Sequence, residues 1–202
     1  MNVLRDRLQR AVRGLDDSPS PPGWNHAEIA DVLGDAPRRP AAVLVALVER
    51  NAAMHVLFTL RTAQLTQHGG QVSFPGGGIE AADKDAVAAA LRETHEEVGI
   101  ATQLVRPFGY LDCFETISGY VVTPVVAELD ASYVALPDPR EVAEVFEVPL
   151  AFFLDAGNLH RRRIDWRGKP REIFEFPHEG KNIWGATAAM LLSLVRRLEA
   201  TK

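Results

Sequence analysis

Residues 74–100 read FPGGGIEAADKDAVAAALRETHEEVGI, and this stretch decides the fold. Its alanines and leucine favour a helix, an aspartate of the DKD triplet can cap the helix start, and Gly99 stands where a C-terminal glycine ends a helix. These signals predict a helix from about Asp83 to Val98. The glycines at 76–78 precede it by a few residues, so the stretch predicts a glycine-rich loop that leads into an acidic helix.

The acidic residues of this helix share one face. Successive helical residues are rotated by about 100°, so the side chains of Glu96 and Glu97 lie within about 60° of Glu93. Carboxylates at this spacing repel one another, and oxygen ligands one turn apart suit a hard divalent cation such as magnesium or manganese. A solvated acidic face is the common alternative. Consecutive glycines let the backbone approach a bulky anion, and the two features together favour a site for a metal-bound phosphate.

The same rotation identifies the side of the helix that packs against the rest of the protein. Four residues share that side: Val87, Leu91, Thr94 and Val98. The small residues Ala86 and Ala89 continue the acidic side toward the start of the helix, and they are expected to leave space beside the carboxylates.

Hydrophobic patterning elsewhere predicts one α/β domain with an N-terminal extension. Residues 1–36 contain an amphipathic helix and a proline-rich arm, and residues 37–202 form the domain. A last apolar repeat predicts a helix over residues 186–198. Short β-prone runs predict strands at 41–49, 54–61, 104–114, 120–129 and 144–150. Pro124 is expected at an edge or a bulge, because proline cannot donate a ladder hydrogen bond.

Composition excludes several classes of protein. The chain has 202 residues, with 22 Lys and Arg against 27 Asp and Glu, and its net charge of −5 argues against a binder that neutralises many nucleic-acid phosphates. The single Cys113 excludes an intrachain disulfide and a cysteine-rich zinc site. No segment reaches the roughly 18 apolar residues of a membrane span, and the first residues lack a continuous apolar run. We therefore expect a cytoplasmic monomer or homodimer that acts on a small molecule, without a nucleic-acid or membrane partner.

One motif connects the glycines with the acidic helix. It consists of Gly77-Gly78 and, after a gap, Arg92-Glu93-Thr94-His95-Glu96-Glu97-Val98-Gly99-Ile100. The motif resembles the Nudix box, the signature of hydrolases that cleave nucleoside diphosphates linked to another group. The resemblance implies the Nudix fold, an α/β fold in which a mixed β-sheet is sandwiched between α-helices. It also implies magnesium or manganese bound by Glu93, Glu96 and Glu97, with Glu96 as a catalytic residue and Arg92 orienting a glutamate.

A second motif lies upstream. Residues 57–77, LFTLRTAQLTQHGGQVSFPGG, are similar to the segment that precedes the box in the coenzyme A pyrophosphatase branch, with Thr66 where that branch has arginine. The likeness extends from about Pro40 to Leu192. It implies hydrolysis of coenzyme A or its thioesters to 4′-phosphopantetheine and adenosine 3′,5′-bisphosphate. Substrate contacts are expected at Arg61, His68, Gln71, Phe74, Gly76 and Gly77.

Three points stay open from the sequence. Arg61 can grip a phosphate through its forked guanidinium or form a buried ion pair. The general base can be Glu96 or a glutamate from another loop, with Glu141 and Glu144 as candidates that ordinary surface charge also explains. The substrate can instead be a dinucleotide cofactor or an ADP-sugar, or the chain can be a binding module of the same fold without turnover. The intact acidic cluster argues against a binding module, which has no need of it.

Overall fold

The computed structural model describes residues 2–33, 37–166 and 168–201. These residues form the helices α1 (Asn2–Ala11), α2 (His26–Ile29), α3 (Ala86–Val98), α4 (Leu150–Leu154) and α5 (Gly185–Ala200). They also form the strands β1 (Arg39–Arg50), β2 (Ala53–Arg61), β3 (Val72–Ser73), β4 (Gly76–Gly78), β5 (Val105–Tyr110), β6 (Phe114–Glu115), β7 (Tyr120–Leu129), β8 (Val142–Pro149), β9 (His160–Trp166), β10 (Lys169–His178) and β11 (Lys181–Trp184).

The longest strand, β1, packs on both of its faces. Alternate residues of a strand point to opposite faces. The even-numbered residues from 42 to 48 belong to one core cluster, and the odd-numbered residues from 41 to 47 lie in or against the other. This double burial explains why residues 41–48 of β1 are continuously apolar in sequence, since both faces of that part of the strand are packed.

Eight strands of the described chain form one mixed sheet around β1. β7 pairs with β1 in parallel along ten residues. On its other edge, β1 pairs antiparallel with β4 near its start and with β2 near its end. β3 and β8 pair with β2, while β5 and β6 pair with β7. The glycines of β4 are therefore part of the sheet and lie beside its central strand.

Helices cover both faces of this sheet. α3 lies on the face of the even-numbered β1 side chains, where its Ala89, Ala90 and Val98 are buried. α1, α4 and α5 lie on the opposite face, which buries Leu8 of α1 and Leu191 of α5. The predicted fold class, a mixed sheet sandwiched between α-helices, is confirmed. None of the described helices combines the length and apolar character needed to cross a membrane.

The N-terminal segment packs on the same core as the rest of the chain. The predicted amphipathic helix corresponds to α1, which contacts α5 and buries Leu8. Farther along, the ring of Trp24 lies 5.6 Å from that of Phe114 in β6. The proposed boundary lies between residues 36 and 37 and adjoins residues 34–36, which lie outside the described residues.

Pro124 occupies a central strand, which corrects the expectation of an edge. Its carbonyl accepts a hydrogen bond from the Leu111 N–H at 3.0 Å. The nitrogen of a strand residue faces the same side as its carbonyl. On that side the neighbouring strands are interrupted, because β5 ends at Tyr110 and β6 begins at Phe114. The missing N–H of Pro124 therefore faces a break in the ladder, where no partner strand needs it.

A second, three-stranded antiparallel sheet was not predicted from the sequence. It has the order β11-β10-β9. β9 reads HRRRIDW, and all of its side chains except the half-buried Ile164 are exposed. Consecutive charged residues give no period-2 pattern, so sequence reasoning has no strand signal there. Cross-strand ion pairs accompany the pairing, with Arg161 bonded to Glu172 at 3.1 Å and Arg162 to Glu175 at 2.8 Å.

Replacing Leu8 tests whether α1 packs on the core of the domain. Its side chain is 2% exposed, whereas Val3 on the same helix is 71% exposed. We expect Leu8→Ala to lower the free energy of unfolding by about 2–5 kcal/mol, because it deletes buried methyl groups and leaves a cavity. Val3→Ala should change it by less than about 0.5 kcal/mol. Urea denaturation followed by circular dichroism measures both, and equal effects of the two substitutions would contradict the docking.

Candidate functional site

The glycines at 76–78 form a strand where the sequence predicts a loop. β4 pairs antiparallel with residues 41–43 of β1. Glycine is required at position 76, because a Cβ there would lie 2.3 Å from the Ala42 carbonyl oxygen and its φ is +151°. The Gly76 N–H donates to Glu97 Oε2 at 3.0 Å. The close strand pairing thus directs a backbone donor to the acidic helix.

Gly77 provides the space that the Glu93 carboxylate occupies. A Cβ at position 77 would lie 2.5 Å from Glu93 Cδ, a distance that real Cβ atoms do not show. A Cβ at Gly78 would meet nothing within 4 Å. The absence of a side chain at position 77 therefore lets the carboxylate lie against the backbone of β4, whereas position 78 has no such constraint.

The two ends of α3 agree with the sequence signals. Asp85 is the N-cap, and its side chain accepts a hydrogen bond from the Ala88 N–H at 2.8 Å. Gly99 adopts a left-handed conformation with φ 67°, and its N–H donates to the His95 carbonyl. The predicted helix is confirmed, with its ends fixed by an aspartate cap and a glycine stop.

The face of α3 that packs on the sheet differs from the predicted one. Val87 and Leu91 are only half-buried, although Thr94 and Val98 are buried as expected. The buried residues are Ala86, Ala89, Ala90, Thr94, Glu97 and Val98. The alanines allow the helix to approach β1 and β4 closely, so the side expected to leave open space is the side that packs. Burial of Glu97 follows from this orientation.

Glu97 is buried with a partner on each carboxylate oxygen. Its side chain is 5% exposed, and Oε1 accepts a hydrogen bond from Arg61 Nη1 at 3.2 Å while Oε2 accepts the Gly76 N–H. Burial raises the pKa of Glu97 to about 7, against the opposing effects of Gly76 and Arg61. The negative charges of Glu93 and Glu141 contribute to the same rise. The carboxylate is thus an acid whose ionised form a bound cation would stabilise.

A β-bulge determines where Arg61 lies. In the β2–β8 ladder, Leu60 pairs with Glu144 but Arg61 pairs with Val142, so β8 carries one extra residue at this point. A bulge increases the local twist and changes the direction of nearby side chains. The Arg61 side chain is 22% exposed and reaches Glu97 across the gap between β2 and α3. Of the two roles left open by the sequence, the ion pair is present in the structure.

Arg92 holds the acidic side of α3 to the glycine strand. Nε and Nη2 bond to the two oxygens of Asp83 at 3.0 and 2.9 Å, and Nη2 also donates to the Gly78 carbonyl at 3.0 Å. Nη1 bonds to Glu93 at 2.9 Å and to Glu96 at 3.0 Å. These five contacts use all five N–H donors of the guanidinium. The expected orienting role toward a glutamate agrees with this geometry.

Asp83 also belongs to the site, although the sequence pattern does not identify it as a site residue. Its carboxylate is bonded twice to Arg92 and accepts the Glu80 N–H at 2.8 Å. Arg92 is the main cause that lowers the pKa of Asp83, and the Glu80 N–H adds to it. The available signal was an acid two residues before Asp85, which helix capping alone also explains.

The carboxylates of α3 fit a divalent cation by their chemistry. Glu93, Glu96 and Glu97 offer only oxygen ligands, and burial raises the pKa of Glu93 although Arg92 opposes the rise. Within residues 2–33, 37–166 and 168–201, no three His, Cys, Asp or Glu side chains converge into a set that could hold a metal ion. The guanidinium groups of Arg61 and Arg92 bind these carboxylates instead. Coordination by all three would therefore require carboxylates to turn from the arginines.

Two predicted substrate contacts lie on the loop between β2 and β3. His68 is exposed and Gln71 is half-buried, and His68 Nδ1 lies 3.0 Å from Gln71 Oε1. The loop closes on the end of β2, because the Arg61 N–H donates to the Gln71 carbonyl at 3.0 Å. Both side chains are therefore held at the end of the strand that carries Arg61.

Phe74 is a core residue, which corrects its expected contact with the substrate. It is 2% exposed, and its ring stacks on Phe58 with 5.1 Å between centroids. An aromatic residue beside a glycine-rich segment is apolar enough to be drawn into the core. Gly76 and Gly77 make room for close packing against β1 and the acids of α3, and Gly76 also donates its backbone N–H to Glu97.

The chain is similar to known proteins over most of its length. The family model described as NUDIX domain matches residues 37–166. A protein of Citrobacter koseri described as uncharacterized Nudix hydrolase NudL is 38% identical over 161 residues, which cover 80% of this chain and 83% of that protein. The protein of the same description from Escherichia coli strain K12 is 40% identical over 162 residues, covering 79% and 83% of the two chains.

One solved structure shows the same fold. It is the MutT protein from Methanosarcina mazei Go1, with a TM-score of 0.50 and 16% sequence identity. The alignment covers 82% of this chain and 96% of that one. At this identity the likeness concerns the arrangement of helices and strands alone.

Gly77 and Gly78 form a matched pair for testing the acidic site. We expect manganese to raise the melting temperature of the wild type relative to chelator, because a ligand that binds the native state stabilises it by mass action. Gly78→Ala should respond in the same way, since its Cβ meets nothing within 4 Å. Gly77→Ala should lose most of the response, because its Cβ displaces the Glu93 carboxylate.

Differential scanning fluorimetry in chelator and in millimolar manganese gives the three responses. An unchanged melting temperature of the wild type would count against a metal site at these glutamates. A full response of Gly77→Ala would show that Glu93 does not need its position against β4.

Proposed function

This chain belongs to the Nudix hydrolase family, and on that premise we propose that it hydrolyses the pyrophosphate bond of coenzyme A or coenzyme A thioesters. The products are 4′-phosphopantetheine, or its acyl form, and adenosine 3′,5′-bisphosphate, with one water consumed. Family membership supports the hydrolysis of a nucleoside diphosphate compound. The upstream motif of residues 57–77 supports the choice of coenzyme A.

One contact carries the proposal, the ion pair between Arg61 and Glu97. Arg61 belongs to the upstream motif, Glu97 belongs to the acidic helix, and their side chains are 3.2 Å apart. The segment similar to the coenzyme A branch therefore contacts the acidic helix that we propose acts in hydrolysis. A substrate phosphate bound by Arg61 would lie beside the carboxylates of α3.

The residues of the chain have distinct tasks in this reaction. Glu93, Glu96 and Glu97 would hold magnesium or manganese, which when bound would supply positive charge to the phosphate oxygens and make water a better nucleophile. Arg61 carries five N–H donors, and its bond to Glu97 uses one, so the guanidinium has donors to offer a phosphate. Arg92 has no donor left for the substrate and acts by positioning the glutamates.

Glu96 is the acid most open to a water molecule. Its side chain is 57% exposed, against 18% for Glu93 and 5% for Glu97. Arg92 Nη1 holds one of its oxygens at 3.0 Å, which leaves the other oxygen to accept a hydrogen bond. We therefore propose that Glu96 takes a proton from the attacking water.

A second candidate substrate is another adenine diphosphate compound, such as an ADP-sugar or a dinucleotide cofactor. The observation that favours it is Thr66, which is exposed on the β2–β3 loop where the coenzyme A branch has arginine. An uncharged residue at this position offers no cationic contact to the 3′-phosphate that distinguishes coenzyme A.

Glu97→Gln should keep the fold but lower kcat by at least about 100-fold, since it removes one charged ligand and preserves the side-chain volume. The measurement is release of phosphopantetheine from coenzyme A with manganese. Circular dichroism and the melting temperature in chelator serve as the control for folding. Turnover at the wild-type rate in a folded variant would remove Glu97 from the site.

Substrate choice is tested with coenzyme A and 3′-dephospho-coenzyme A. We expect kcat/KM to be greater for coenzyme A, by up to the roughly tenfold to hundredfold that one charge-assisted hydrogen bond supplies. Thr66→Arg should lower KM for coenzyme A with little change in kcat, because it adds a binding contact away from the acids. Equal rates on both compounds, with faster cleavage of ADP-ribose, would favour the second candidate.

A further inference from the structure

Strand β9 has one edge without a neighbouring strand. It pairs antiparallel with β10 along residues 160–166, and it is the last strand of the second sheet. In the part of the chain that the structure describes, no other strand pairs with it and its outer edge makes no backbone hydrogen bond. An exposed edge of this kind is a template for another strand, unless its side chains prevent pairing.

Pro170 of β10 indicates which residues of β9 face the open edge. Residue pairs in an antiparallel ladder alternate between those that exchange backbone hydrogen bonds and those that do not, and proline has no N–H to exchange. Asp165 lies opposite Pro170, so this pair is of the second kind. The backbone N–H and C=O groups of Asp165 and, two residues earlier, of Arg163 therefore point away from β10 to the open edge.

The two side chains at this edge carry opposite charges. Arg163 is exposed, and among the described residues its guanidinium makes no ion pair or hydrogen bond, whereas Arg161 and Arg162 bond to glutamates of β10. Asp165 is also exposed, and its Oδ1 accepts the Gly168 N–H at 2.9 Å. The other carboxylate oxygen of Asp165 is left for a further donor.

We propose that β9 is a self-association surface and that its partner is β9 of a second copy of this chain. A two-fold axis through Ile164, perpendicular to the sheet, sets Arg163 of each copy opposite the partner's Asp165. These residues face the open edge, so they also exchange the backbone hydrogen bonds. Ile164, the half-buried apolar residue of the strand, then lies opposite the partner's Ile164. Arg162 lies opposite the partner's Trp166, which is 40% exposed and offers its ring to a guanidinium.

Charge favours this register over its neighbours. Residues directly opposite each other share one face of the sheet, so the register can shift only in steps of two residues. A shift of one step places Arg163 against the partner's Arg163, and the reverse shift places Asp165 against the partner's Asp165. Like charges directly opposite each other destabilise a strand pair, whereas opposite charges stabilise it. A charged edge ordinarily prevents pairing, and Asp165 removes that protection in one register.

Charge reversal tests the surface through the molecular mass in solution. Sedimentation equilibrium of the wild type, from micromolar to submillimolar concentration, should approach twice the 22.2 kDa of the chain. Arg163→Asp and Asp165→Arg should each raise the dimer Kd by at least about tenfold, because each sets like charges against each other in two places. A mixture of these two variants should dimerise again, because each position 163 then faces an opposite charge at position 165 of the other variant.

Arg106→Asp is the matched control. Arg106 is an exposed arginine of β5, which lies at an edge of the eight-stranded sheet. The substitution makes the same change of net charge on a different edge strand, so the dimer Kd should stay within about twofold of the wild type. Circular dichroism checks that each variant is folded. A loss of dimer in Arg106→Asp equal to that in Arg163→Asp would show that net charge, and not β9, governs association.

Ile164→Cys tests the register directly. Opposite residues in pairs without hydrogen bonds have Cα atoms about 4.5 Å apart, which a disulfide can span. Oxidised glutathione should therefore link two copies of Ile164→Cys, as seen on a non-reducing gel. Arg162→Cys should not link, because position 162 lies opposite position 166 of the other copy. The native Cys113 is buried, so the wild type gives the background.

The inference does not depend on the proposed hydrolysis, since none of these measurements uses a substrate. It is wrong if the wild type is monomeric throughout the concentration range, which would leave the edge of β9 to a partner of another kind or to none. It is also wrong if Arg163→Asp dimerises as tightly as the wild type, or if the mixture of charge-reversed variants stays monomeric. Equal linking of Ile164→Cys and Arg162→Cys, or linking of neither, would overturn the register.

Discussion

The burial of the Glu97 carboxylate is the constraint on which the rest of the site depends. A buried carboxylate is costly unless its oxygens are bonded, and here the two partners come from two different strands. Gly76 supplies a backbone N–H from β4, and Arg61 supplies a guanidinium from the end of β2. Satisfying this one side chain therefore fixes the distance of α3 from both strands.

Small residues make that distance possible. Glycine at 76 allows β4 to pair closely with β1, and glycine at 77 leaves the volume that the Glu93 carboxylate fills. On the helix side, Ala89 and Ala90 are fully buried against the sheet. A larger residue at any of these positions would move the acids away from the strand. The glycine-rich segment thus allows the backbone of β4 to pack closely against the carboxylates of α3.

The sequence predicts where α3 begins and ends better than it predicts which side of the helix packs on the sheet. The caps of α3 follow from local hydrogen bonding, so Asp85 and Gly99 could be inferred from residue types alone. The packing face could not, because amphipathic spacing assigns the larger apolar residues Val87 and Leu91 to the core. No local residue pattern indicates that Glu97 accepts a backbone N–H from β4. The strand β9 was missed for a related reason, since Arg161 and Arg162 are bonded to glutamates of the neighbouring strand and the strand has no apolar face.

The two arginines of the site differ in how many of their guanidinium N–H groups are already hydrogen-bonded, and this difference determines their roles. Arg92 spends all five N–H groups on Asp83, Gly78 and the glutamates, so it is part of the scaffold that holds charged groups together. Arg61 donates one hydrogen bond to a carboxylate, that of Glu97, and it lies at a bulge where the strand pairing shifts. A cation at the acids would compete with Arg61 for Glu97 and release its guanidinium. Binding of metal and capture of a phosphate by Arg61 are therefore expected to favour one another, because each weakens the ion pair with which the other competes.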